Sequence, residues 1–272
     1  MTLGFSVDAL APVSRGGGAL RMGLRRLAES DWLQPEFDRQ ARADAFARHP
    51  DAIHILPGAE DAGREVAAMV GACLPVEAGL AEAAHATWED LCILQPVGEG
   101  GEHRLTAAAV AFPTDWRLAD KMGRSLLAIH APIHGYVEQL NAGVEHFVRT
   151  LAPGPIFGRS NWFVVPTGAW RYLPRDDPAD RFASVDAANA GERLWVRSER
   201  QTLRRLPRTG ALLFTIGVAA ERLDRLSPRT VRHVADAANG VGAGEGERRA
   251  APFYADALAG YADALDRGCG AR

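Results

Sequence analysis

Five arginines fall within the twelve residues 197–208, in the run RSERQTLRRLPR: Arg197, Arg200, Arg204, Arg205 and Arg208. The whole chain carries a formal net charge of -3, so this local excess of guanidinium stands apart from its background. Forked guanidinium donors suit carboxylates and phosphates. The following TGALLFTI reads as a buried strand, which sets the arginines at a helix-to-strand junction close to the core. With residues 198–206 helical, Arg197, Arg200 or Gln201, Arg204 and Arg208 share one face, and Leu203 and Leu206 take another. Two readings stand side by side: an anion clamp, and a solvated helix with ordinary ion pairs.

The histidines of IHAPIHGY are the second candidates. His130 and His134 have a spacing that suits metal binding on a helix, but Pro132 lies between them and breaks that geometry. His130 follows the apolar LLAI and is stopped at once by Ala131 and Pro132. A histidine at such a helix end serves as a core or capping residue, or alternatively as an axial haem ligand. Haem propionates would then suit the arginines. GVGAGEG lacks the strand before it and the acidic partner after it that a dinucleotide fingerprint requires, so it reads as a loop. Ser160 has no base partner in any hydrolase motif. His54, His103 and His146 are isolated.

The elements that must position these residues divide the chain. Residues 1–20 read as a mobile leader. Residues 21–89 read as helical, with helices over 35–49, 60–74 and 80–88. From residue 90 to 220 short apolar runs bounded by Gly and Pro take over: LCILQPV, RLTAAAVAFP, NWFVVPTG and ALLFTIGV. Helices over 118–129 and 137–151 are inserted between them. Residues 221–272 end the chain with helices over 230–238 and 251–265. Helices first and an antiparallel sheet afterwards make an α+β pattern in one domain over 21–272.

Four blocks of the chain resemble one family. MGLRRL…DWLQP, LTAAAVAFPTDWRLADKMGRSLLAIHAPIHGY, GRSNW and LWVRSERQTLRRLPRTGALLFTI, within residues 20–225, are similar to the haem-dependent oxidative N-demethylase family, which includes the haem subunit of dimethylamine monooxygenases. The resemblance implies a haem-binding, PAS-like fold: an antiparallel sheet with helices on one face. It implies oxygen-dependent N-demethylation of a small secondary amine such as dimethylamine. It implies haem b, with His130 as the iron ligand. Arg204 or Arg208 would hold propionates, Arg197, Arg200 or Arg205 would line the distal pocket, and Trp162 and Tyr136 would complete the cofactor set. His134 stands where the family usually has proline.

Electrons must then come from a separate flavin or iron–sulfur reductase subunit, since neither a dinucleotide motif nor an iron–sulfur cysteine set is legible. Two rivals remain: a PAS-like haem sensor of a diatomic gas or redox state, and a haem-free module that clamps a small anion. The net charge argues against broad nucleic-acid binding. Neither a membrane-length apolar run nor a signal peptide is present. The three scattered cysteines, Cys73, Cys92 and Cys269, form no framework, so a reducing, cytoplasmic location is expected.

Overall fold

Two adjacent strands organise the molecule. They are β6 (Trp195–Arg205) and β7 (Leu212–Arg222), which pair antiparallel along their whole length. The computed structural model describes residues 3–12, 20–71, 73–98 and 101–269. Around β6 and β7 lie β1 (Arg25–Leu27), β2 (Ile53–Ile55), β3 (Asp90–Val97), β4 (Glu102–Ala109) and β5 (Ile156–Val165). The seven strands form one antiparallel sheet in the order β1-β5-β6-β7-β3-β4-β2.

The helices are α1 (Val7–Leu10), α2 (Arg39–Arg48), α3 (Glu60–Val70), α4 (Leu80–Ala86), α5 (Leu126–His130), α6 (Ala142–Thr150), α7 (Pro178–Phe182), α8 (Ala190–Arg193), α9 (Pro228–Asn239), α10 (Ala243–Arg248) and α11 (Ala255–Cys269). The α+β class is as expected. No described helix is long and apolar enough to cross a membrane.

Helices cover both faces of the sheet, not one. Side chains alternate along a strand, so Cys92 and Leu94 point opposite to Leu91 and Ile93. Cys92, Leu94 and Ala108 pack with Leu126 of α5 and Val148 of α6. Leu91, Ile93, Ala107 and Ala109 pack with Phe46 of α2, Val66 of α3 and Ala83 of α4. A further cluster joins Val164 and Val196 to Val231 and Val234 of α9 and Leu258 of α11. Within the stretch read as a leader, Leu3, Val7 and Leu10 are buried, and Ser6 caps α1 by accepting from the Ala9 amide at 3.3 Å. Residues 13–19 of that stretch lie outside the described residues.

Three local expectations are corrected. The arginine-rich run is a strand, not a helix. Its polar and charged residues alternate, Arg197, Glu199, Gln201 and Arg205 on one face and Ser198, Arg200, Thr202 and Arg204 on the other. Pairing on both sides gives every peptide group a partner.

The helix expected over 118–129 is broken. Leu118–Asp120 forms one tight turn and α5 begins only at Leu126. The intervening segment is drawn onto β4, where the Gly123 amide donates to Leu105 O at 2.8 Å and the Leu105 amide to Arg124 O at 3.0 Å. The glycine-rich loop is partly the helix α10, held by Glu245, which accepts from Arg248 and Arg249 one turn on at 2.6–2.8 Å.

Candidate functional site

The short helix α5 is fixed at both ends. Ser125 accepts from the Ala128 amide at 3.3 Å, and Lys121 Nζ donates to Ile129 O at 2.8 Å. His130, its last residue, hydrogen-bonds Leu126 O through Nδ1 at 2.8 Å. A carbonyl only accepts, so Nδ1 carries the proton and Nε2 is the bare nitrogen. Gly135, at φ +76°, then turns the chain back and lays Tyr136 against His130. The two rings stack with centroids 4.7 Å apart and an interplanar angle of 12°. Tyr136 is buried, and its hydroxyl has no partner among the described residues.

Burial keeps His130 neutral, lowering its pKa from 6.5 to about 4; the Leu126 carbonyl opposes this, and the charges of Arg159 and Lys121 add to it. Between these two pH values the unfolded chain binds the proton that the fold excludes. Stability therefore falls as pH drops from 6.5 towards 4, and this group contributes no slope outside that window. Urea unfolding across the window should show a steeper pH slope for the wild type than for His130→Gln. Equal slopes would contradict a buried neutral imidazole.

The sheet supplies the opposite wall. Arg159 and Asn161 of β5 stand beside Gln201 and Glu199 of β6 on the face that α5 and α6 cover. Arg159 Nε donates to Gln201 Oε1 at 2.7 Å, and Gln201 Nε2 donates to Glu199 Oε2 at 2.8 Å. Burial lowers the Arg159 pKa, with Glu199 and Tyr136 opposing it. Beyond Gly158, β5 has no strand on its outer side among the described residues, and α10 lies along that edge. There Arg249 donates to Trp162 O and, at 3.1 Å, to Asn161 Oδ1. The His134 ring rests on α10, so close that a Cβ on Gly244 would meet its Cγ at 2.9 Å.

The five arginines do not converge on this space. Arg197 donates to Thr114 Oγ1 at 2.7 Å and to the carbonyls of Phe112, Ala169 and Trp170 at 2.7–3.1 Å, and burial lowers its pKa to about 10. Arg200, on the other face, binds the carbonyls of Leu3, Asp31 and Trp32. Arg204 pairs with Glu29 at 2.7 Å and stacks on Trp32. Arg205 holds the last carbonyls of α6, at Val148 and Leu151. Arg208 is exposed and reaches Asp61 O at 3.1 Å. Trp162 faces away from Arg159 and packs against the α9–α11 cluster.

Arg200→Leu strands three carbonyls, each worth about 1–3 kcal/mol when buried without a partner. It should lower unfolding free energy by roughly 3 kcal/mol or more, measured in urea. A loss below about 1 kcal/mol would show that those carbonyls find other partners.

Arg159 is the residue that reading the sequence passed over. Its sequence signal is the GRSNW block, in which Trp162 is the more conspicuous cofactor candidate. A cleft of about 280 Å³ elsewhere, lined by Phe5, Trp88, Trp170 and Glu221, has its carboxylates engaged: Asp8 accepts from Ser227 and Glu221 pairs with Arg225 at 3.8 Å. No group of three or more His, Cys, Asp or Glu able to hold a metal comes together among the described residues.

The profile of the haem-dependent oxidative N-demethylase, alpha subunit-like family matches residues 76–250. The chain belongs to that family. The matched span includes His130, Tyr136, Arg159, Glu199, Gln201 and α10. A comparison with curated proteins gives no match.

Proposed function

We propose that the chain is the haem-carrying component of an oxidative N-demethylase for a small secondary amine such as dimethylamine, with haem b held through His130 Nε2. The observation that carries this reading is the state of His130. Its Nδ1–H is committed to Leu126 O, its Nε2 has no protein partner among the described residues, and burial keeps the ring neutral well below neutral pH. A second-ring hydrogen bond of this kind fixes the tautomer that ligates iron and raises its basicity. Tyr136 holds the ring plane from the side.

When bound, haem supplies the oxygen chemistry that oxidises an N-methyl carbon. The carbinolamine so formed collapses to formaldehyde and the shorter amine. The balance is one amine, one O2, two electrons and two protons, giving demethylated amine, formaldehyde and water. The two electrons require a donor, and a separate flavin or iron–sulfur reductase subunit fits a chain described as alpha subunit-like. This chain contributes the ligand and, through Leu126 O and the Tyr136 ring, its orientation.

Haem-loaded protein given dimethylamine, oxygen and a photochemical electron donor should release formaldehyde and methylamine in equal amounts, and the apoprotein none. Haem-loaded, reducible protein that yields no formaldehyde from any N-methylamine would contradict the enzyme reading.

A further inference from the structure

Glu199, Gln201 and Arg159 form a chain with only one possible polarity. A guanidinium donates and cannot accept; a carboxylate accepts and cannot donate. The Gln201 amide lies between them, so Oε1 must face Arg159 Nε, 2.7 Å away, and Nε2 must face Glu199 Oε2, 2.8 Å away. Glu199 and Gln201 are buried on a strand paired on both sides, so neither can drift. The pair grips Arg159 by Nε alone. Its terminal nitrogens, Nη1 and Nη2, have no partner among the described residues. Arg197, Arg200 and Arg205 each spend their donors on three or more protein groups or carbonyls. Arg159 is half-buried, and a guanidinium held by Nε with its fork unspent is free to take an anion. Arg159 stands two residues from Phe157 on the same face of β5, and Phe157 packs with Leu126 of α5 and Val148 of α6, so the fork lies on the side of the sheet where α5 ends in His130.

We propose that Arg159 is the anion-holding cation of the haem site, and that Glu199 and Gln201 are the residues that position it. The proposal rests on the haem reading above. The anion is a carboxylate of the haem itself or a small anion at the iron; both present oxygen or halide lone pairs to a guanidinium fork.

The test uses ferric, haem-loaded wild type and Arg159→Met. Fluoride and imidazole are titrated by absorption, and haem loss to excess apomyoglobin is timed for haem and for haem dimethyl ester. Fluoride affinity at least tenfold weaker in the variant, with imidazole affinity within twofold, supports the proposal and places the anion at the iron. Haem loss at least tenfold faster, with the wild type but not the variant distinguishing haem from its diester, supports it and places the anion on the propionates. Neither change overturns it.

Gln201→Leu should move the same readout by less in the wild type and not at all in the Arg159→Met background. Additive effects would overturn the positioning role. Should Arg159→Met fail to fold, Arg159→Lys keeps the charge without the fork and carries the same two assays. A wild type that takes up no haem would overturn the functional reading itself, an outcome distinct from an intact Soret band that Arg159 does not influence.

Discussion

Replacing His130 by alanine should strip the protein of its haem-binding capacity while leaving the fold in place. The residue ends α5, whose N-cap and Lys121 clamp do not depend on the imidazole. The ring contributes one hydrogen bond to its own helix and one stack on Tyr136, so the structural loss is small. Loss of the ligand itself is not. Outer-shell partners of metal ligands alone are worth about 10- to 100-fold in affinity, and the ligand must exceed that. His130→Ala should therefore lose haem by well over tenfold, scored by the Soret band after reconstitution, with an unchanged far-ultraviolet circular dichroism spectrum. Free imidazole should restore the band by filling the vacated space. Full haem loading and an unmoved Soret maximum in this variant would remove His130 from the site.

The largest effect on stability should come from Asp90. This residue opens β3 and is buried with Arg42 of α2, with 2.5 Å between Arg42 Nη1 and Asp90 Oδ1. Asp90 also accepts from the Ala111 amide at 2.8 Å and the Phe112 amide at 3.1 Å. Arg42 spends its remaining donors on Ala84 O at 3.0 Å and Glu89 O at 2.6 Å, between the rings of Phe46 and Phe112. One ion pair thus ties α2, α4, the start of β3 and the end of β4.

Asp90→Ala leaves a buried cation and two amides without partners, at a cost of about 4 kcal/mol or more. That is a large part of the roughly 5–15 kcal/mol that holds a domain folded. Urea denaturation measures it, and a loss below about 1 kcal/mol would contradict the arrangement. The damage should reach β6 as well, because Phe112, whose amide Asp90 holds, also accepts from Arg197.

The apolar strands were legible because their signal is chemical and local. LCILQPV and ALLFTIGV lie within β3 and β7 or one residue beyond, while RLTAAAVAFP and NWFVVPTG mark β4 and β5 but overrun their ends at Ala109 and Val165. The strand β6 was not, because its buried positions hold arginine, glutamate and glutamine. Long polar side chains mask the period-two pattern that hydrophobicity would show, and only tertiary partners such as the Phe112 and Trp170 carbonyls make such burial tolerable. The broken segment before α5 was hidden for a related reason, since pairing with Leu105 overrides a helical pattern.

At the site, His130 stood out by its position at a helix end. Arg159 did not, because its meaning depends on Gln201 and Glu199, some forty residues away in sequence and adjacent only across the sheet. Arginine density draws attention to 197–208, yet those side chains mostly hold backbone carbonyls, whereas Arg159 of GRSNW is held by Nε alone, with no partner for its Nη atoms among the described residues.

The most direct test of the central claim is the visible absorption spectrum of the purified protein, oxidised and then reduced, with haem quantified against polypeptide. The account predicts one haem per chain and a Soret band of histidine-ligated haem that His130→Ala abolishes. A protein that stays colourless after haem reconstitution would contradict it.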